Sequence, residues 1–205
     1  MNLPNKLTVM RIVLVPFFVA ALLLPQIPHH YLIAGLLFGI AAITDHFDGK
    51  LARKNNQITN FGKFLDPLAD KILVISALVC FVQLDLAATW MVILIIAREF
   101  MVTSIRLVAV DGGVVIAANL WGKIKTVSQI VAIVAVLILQ YVQELVSMQV
   151  LSGGWIQEME HALGLSNGML FVAIGQGLIL IATCFTVISG IIYLRQNWGV
   201  IKKAG

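Results

Sequence analysis

Four aspartates stand at regular spacing in the segment from Thr44 to Lys71, TDHFDGKLARKNNQITNFGKFLDPLADK. Asp45 and Asp48 are three residues apart, and Asp66 and Asp70 are four apart. On a helix both spacings set the pair on one face, with neighbours only about 5 to 6 Å apart. Like charges this close repel one another unless cations compensate, and an all-oxygen donor set favours a hard divalent ion such as Mg²⁺ or Mn²⁺. The pattern therefore predicts a metal site. The plainer alternative, a solvated acidic loop with Lys50, Arg53, Lys54, Lys63 and Lys71 as counter-ions, does not account for the regularity of the placement. Gly49 and Gly62 lie beside the carboxylates, where a missing side chain leaves room for a flat base or a pyrophosphate.

A second group of charged residues could hold an anion. Arg98 and Glu99 sit in the middle of an apolar run, where an ionisable group is expensive unless it is paired or faces a polar cavity. Arg106, Lys123 and Lys125 flank the neighbouring connection. Arginine clamps a phosphate in two-point geometry and lysine adds a point charge, so Arg98, Arg106, Lys123 and Lys125 are the expected phosphate-binding set. Against this, Arg98 and Glu99 could form an ion pair that only orients helices, and the other three could be ordinary residues of a membrane boundary. His46 is about 100° around a helix from Asp45, so no chemistry is expected of it, nor of His29, His30 and His161. Cys80 and Cys184 lie in apolar runs without metal-binding or disulfide spacing.

Apolar segments must position these groups. Of 205 residues 60% are apolar and 12% charged, against roughly 25% charged in a soluble domain. Six apolar runs, at roughly 7 to 27, 31 to 46, 67 to 84, 86 to 109, 125 to 148 and 169 to 194, approach the roughly 20 residues a bilayer-spanning helix needs. The expected fold is an all-α integral membrane domain occupying residues 1–205, with six transmembrane helices. Lys6, Arg11, the basic residues between Lys50 and Lys71, Arg106, Lys123, Lys125, Arg195, Lys202 and Lys203 fall on one side, while the opposite connections carry only Asp85, Glu144, Glu158 and Glu160. Positive charge marks the cytoplasmic side, so both termini and the aspartate segment are expected there. The first run is expected to be a retained span, since no small-residue cleavage site follows it. Pro16, Pro25 and Pro28 should bend or end it. Gly35 and Gly39 could bring two helices close, or be tolerated small residues.

The arrangement D-x-x-D-G-x-x-A-R, eight residues, then G-x-x-x-D-x-x-x-D resembles the signature of the CDP-alcohol phosphatidyltransferases at every defined position: Asp45, Asp48, Gly49, Ala52, Arg53, Gly62, Asp66 and Asp70. LPNKLTVMR at the start, GKFLDPLADK in the motif, AREFMVTSIR on the fourth run and WGKIKT before the fifth are similar to one branch, the phosphatidylglycerophosphate synthases. The resemblance implies transfer of a phosphatidyl group from CDP-diacylglycerol to sn-glycerol 3-phosphate, with CMP leaving. It implies Asp45, Asp48 and Asp66 as ligands of two Mg²⁺ or Mn²⁺ ions, with Asp70 near the metals as general base. It places the CDP portion on Gly49, Ala52, Arg53 and Gly62, and it implies a homodimer in the cell membrane.

Asn5, Thr8 and Arg11 would then help close the nucleotide side, or simply start a helix with a positive anchor. No nucleic-acid partner is expected. The competing enzyme readings keep the donor and change the acceptor, to phosphatidylglycerol or inositol phosphate. A divalent-cation transporter would need polar groups running through the membrane, and the fifth and sixth runs offer almost none.

Overall fold

The structure, a computed structural model, describes residues 3–54, 60–111, 116, 120–165, 168–199 and 202; for 3–7, 45–54, 60–70 and 111 it describes the backbone alone. Among the described residues there are seven α-helices and no strand: α1 (Leu3–Leu23), α2 (His30–Lys54), α3 (Asn60–Gln83), α4 (Thr89–Asp111), α5 (Leu120–Ser147), α6 (Gly154–Ala162) and α7 (Met169–Gln196).

The helix limits follow from local chemistry. α1 runs through Pro16 and stops at Leu23, just before Pro25 and Pro28, which cannot continue a helix. His29 takes a left-handed backbone conformation (φ 57°) and α2 begins at the next residue. α2 continues past its apolar stretch to Lys54, and α3 begins at Asn60 rather than near residue 67, so most of the aspartate segment is helical. The turn between α3 and α4 is tight: Leu86 and Ala87 N–H both donate to Phe81 O, and Asp85 adopts φ 56°, which a short polar side chain tolerates.

Six long helices correspond to the six apolar runs. α5 and α7 are each long and apolar enough to cross a membrane, and apolar stretches fill Thr8–Leu23, His30–Thr44 and Lys71–Gln83. The charged residues of the largely apolar α4 are Arg98, Glu99, Arg106 and its terminal Asp111. The outer surface carries large hydrophobic side chains from every long helix, including Phe17, Ile43, Val79, Ile93, Val127 and Ile181. So broad an apolar surface does not suit water but does suit lipid.

Two groups of helices share the interior. α1 packs on α2 and α3; α7 packs on α5 and α4; the contact of α2 with α5 is the main join between them. Phe18 and Phe38, both fully buried, meet with ring centroids 5.8 Å apart and fix α1 on α2. On the other side Gly175 lets α7 approach α5, since a Cβ there would sit 3.2 Å from Val136 Cγ2. Gly35 and Gly39 do not serve in this way, for a Cβ at either would meet nothing within 4 Å. The small residues that set close helix contacts are on α7 instead.

α6 has no counterpart among the apolar runs. It is short and amphipathic, with Ile156 and Glu160 buried and Trp155 and Met159 exposed, and it packs on the start of α7. Glu160 Oε1 accepts from the N–H of Leu170 at 3.0 Å, so a buried carboxylate completes the N-terminus of α7.

Candidate active site

The backbone sets Asp45, Asp48, Gly49, Ala52 and Arg53 on the last turns of α2, and Gly62, Asp66 and Asp70 on the first turns of α3. Helical backbone at these positions keeps Asp45 with Asp48, and Asp66 with Asp70, on common faces. Their side chains lie outside the described residues. The donor set fits a hard divalent cation, since it offers carboxylate oxygens from two successive helices. Among the described side chains no group of three His, Cys, Asp or Glu forms another cradle for a metal.

Two residues of the motif's N-terminal neighbour are interior. Thr8 and Arg11, one turn apart on α1, are each only 2% exposed. Arg11 is thus interior, on a helix packed against α2 and α3.

The second charged group is built from α3, α4, α5 and α7. Glu99 is its centre. Oε1 of Glu99 accepts from Arg98 NH1 at 3.2 Å and from Lys125 Nζ, with side-chain exposures of 11% for Glu99, 10% for Arg98 and 6% for Lys125. Breaking such a buried pair by removing one partner costs roughly 3–5 kcal/mol, because the other charge is left in a dry site. Arg98 NH2 donates to Ser189 Oγ at 2.8 Å, and the Arg98 stem lies against Gly190. Arg98 Nε is buried without a hydrogen-bond partner.

Lys71, the residue after Asp70, ties the motif to this group. Its ammonium donates to the backbone O of Glu99 at 3.3 Å and to Thr103 Oγ1, while Thr103 Oγ1 donates to the same Glu99 carbonyl at 2.8 Å. Arg106, about two turns beyond Arg98, donates from Nε to Tyr193 OH at 3.3 Å, and its guanidinium carbon lies 5.6 Å from the Tyr193 ring centre. Lys123 is outside the cluster: it is exposed, two residues from Lys125 and so about 200° around α5. Of the four expected phosphate ligands, the fold brings Arg98 and Lys125 to one point, adds Arg106 through α7, and leaves Lys123 at the surface.

The interiors of α5 and α7 are more polar than their sequences suggest. Gln129 Nε2 donates to Thr186 Oγ1 at 3.0 Å, and Ser189 and Tyr193 continue the line toward Arg98 and Arg106. Thr183 and Thr186 donate to Ile179 O and Ala182 O one turn earlier, so these two hydroxyls of the stripe are satisfied within their own helix. The spacing of three to four residues among Thr183, Thr186, Ser189 and Tyr193 is the signal that could have found it. His29 and His30 are far from this end: His29 Nδ1 lies 3.4 Å from Tyr141 OH, and the His30 N–H donates to Glu144 Oε1 at 3.1 Å.

The sequence matches the CDP-alcohol phosphatidyltransferase family over residues 1–188. The chain belongs to that family. A CDP-diacylglycerol–glycerol-3-phosphate 3-phosphatidyltransferase of Bacillus subtilis is 45% identical over 99% of this chain and 98% of its own length. A protein of the same description from Haemophilus influenzae is 44% identical over 64% of this chain and 73% of its own. A probable phosphatidylglycerophosphate synthase of Mycobacterium tuberculosis is 45% identical over 64% of each. As a CDP-alcohol phosphatidyltransferase, the chain carries the aspartate motif on α2 and α3 and a buried cationic cluster on the helices that follow.

Proposed function

We infer that this chain transfers a phosphatidyl group from CDP-diacylglycerol to sn-glycerol 3-phosphate, giving phosphatidylglycerophosphate and CMP. The observation that carries the reading is the convergence of Arg98 and Lys125 on a single carboxylate, joined through Lys71 to the helix of Asp66 and Asp70. Two cations for one resident anion leave positive charge for a phosphorylated acceptor, and likeness to the Bacillus subtilis enzyme over nearly the full length agrees.

In this reading Asp45, Asp48 and Asp66, with Asp70 beside them, hold divalent ions, Mg²⁺ or Mn²⁺, which supply positive charge against the pyrophosphate. Asp70 accepts the proton of the acceptor hydroxyl as that oxygen attacks the lipid-side phosphorus. Gly49, Ala52, Arg53 and Gly62 meet the CDP portion, the glycines by leaving room for it. Arg98, Arg106 and Lys125 hold the acceptor's phosphate, and exposed Lys123 adds attraction at the mouth. Fixing the phosphate orients the hydroxyl and converts an encounter into a positioned attack.

The six long helices span the cell membrane with both termini cytoplasmic, α6 lies on the opposite side, and the protein works as a homodimer. The site at the cytoplasmic boundary lets diacyl tails stay in lipid while CDP and glycerol phosphate meet water. An assay of the purified chain with CDP-diacylglycerol and a panel of acceptors tests the reading. CMP release specific to glycerol 3-phosphate is expected; equal release with phosphatidylglycerol, inositol phosphate or glycerol would overturn it.

A further inference from the structure

The cationic cluster already contains an anion, and that anion is part of the protein. Glu99 is 9% exposed, and its Oε1 is shared by Arg98 and Lys125. Burial explains why it must be there. Lys125 and Arg98 without a counter-ion would each bear the penalty of a charge in a dry site. One carboxylate nevertheless cannot neutralise two cations. Arg98 Nε also remains buried and unpartnered, although NH1 and NH2 are used on Glu99 and Ser189. A planar fork with its Nε unused beside a surplus of positive charge is suited to a tetrahedral dianion.

We propose that Glu99 is the exchangeable counter-ion of the acceptor pocket: it holds Lys125 and Arg98 together while the pocket is empty, and it gives them up to the acceptor's phosphate. The proposal rests on the assignment of Arg98 and Lys125 to that phosphate. Its consequence is that Glu99 competes with the acceptor. Anion affinity is thereby set lower than the bare cations would give, and the pocket stays assembled between turnovers. Lys71 and Thr103 bind the Glu99 backbone carbonyl, not its carboxylate, so the side chain can turn away without releasing α3 from α4.

The test is competitive inhibition of purified full-length protein in detergent by inorganic phosphate, against glycerol 3-phosphate at fixed free Mg²⁺. In Glu99→Gln the inhibition constant for phosphate and the KM for glycerol 3-phosphate are both expected to fall about tenfold, the scale of one lost charged competitor, with KM for CDP-diacylglycerol unchanged. Phosphate should also raise Tm more in Glu99→Gln than in the parent, because it fills the place of the missing charge. Glu99→Asp, one methylene shorter, keeps the charge and should shift both constants in the same direction by a smaller factor, which provides a reading if the glutamine variant does not fold. A higher or unchanged phosphate constant in the variants, with phosphate inhibiting the parent, would overturn the role of Glu99 alone. Absence of phosphate competition in the parent would overturn the acceptor-site assignment beneath it.

Discussion

Gly190 and Arg98 are in contact through the arginine's aliphatic stem: a Cβ at residue 190 would sit 3.0 Å from Arg98 Cγ and 3.4 Å from Met101 Cε. The absent side chain on α7 thus determines where the guanidinium of α4 can lie. Gly190→Val should displace Arg98 from Ser189 and Glu99, and overpacking of this kind costs typically about 1–3 kcal/mol. Steady-state kinetics should show a KM for glycerol 3-phosphate raised about tenfold, with that for CDP-diacylglycerol nearly unchanged. An unaltered acceptor KM would mean that the position of Arg98 is immaterial to acceptor binding.

The motif aspartates should divide by role. Asp45→Asn, Asp48→Asn and Asp66→Asn are each expected to weaken divalent binding, measured by calorimetry or Mn²⁺ resonance, and chelation should stop turnover reversibly in the parent. Asp70→Asn should lower kcat by about 10²- to 10⁴-fold, as for loss of a general base, while CDP-diacylglycerol binding persists. Unchanged metal affinity in the first three would refute the ligand assignment, and near-normal kcat in the last would refute the base.

Glu160 makes a prediction about stability alone. Its side chain is 2% exposed and caps α7 through the Leu170 N–H, on the opposite end of the bundle from the charged cluster. Glu160→Ala leaves that N–H without its acceptor and should cost about 2 kcal/mol. Thermal unfolding in detergent should show a lower Tm, with both KM values at the parent level.

Membrane orientation can be read by labelling. Single cysteines at Asn56 and Ser152, introduced after Cys80 and Cys184 are replaced by serine, should react with impermeant reagent from opposite faces of sealed vesicles. Reaction of both from one face would contradict six spans with cytoplasmic termini.

The long helices and the motif were legible because each rests on a local rule. Apolar runs of bilayer length locate α1 to α5 and α7, though α2 runs on past its run to Lys54 and α3 starts earlier, at Asn60, and Pro25 and Pro28 give the end of α1. The aspartates were legible because helical spacing alone puts them on common faces. What escaped depended on long-range packing. Glu99 was visible as a neighbour of Arg98, but its link to Lys125 joins residues on two helices brought together by a third. Lys71 looked like one more boundary lysine until α4 placed Thr103 and the Glu99 carbonyl beside it. The polar stripe of α7 was obscured by the bulky apolar residues between its members, and α6 was too short for hydropathy to register.

Because α1, α2 and α3 pack chiefly on one another, and α7 chiefly on α4 and α5, the motif and the cationic cluster belong to different halves of the bundle. On the proposed assignment the bond-making step would fall at a seam rather than within a single packed unit. A lineage could retune its choice of alcohol by altering the second half while inheriting the first intact, with the α2–α5 contact and the Lys71 tether as the parts that must stay compatible. If the proposed sites hold, donor recognition and acceptor recognition would be separately heritable traits of one short polypeptide.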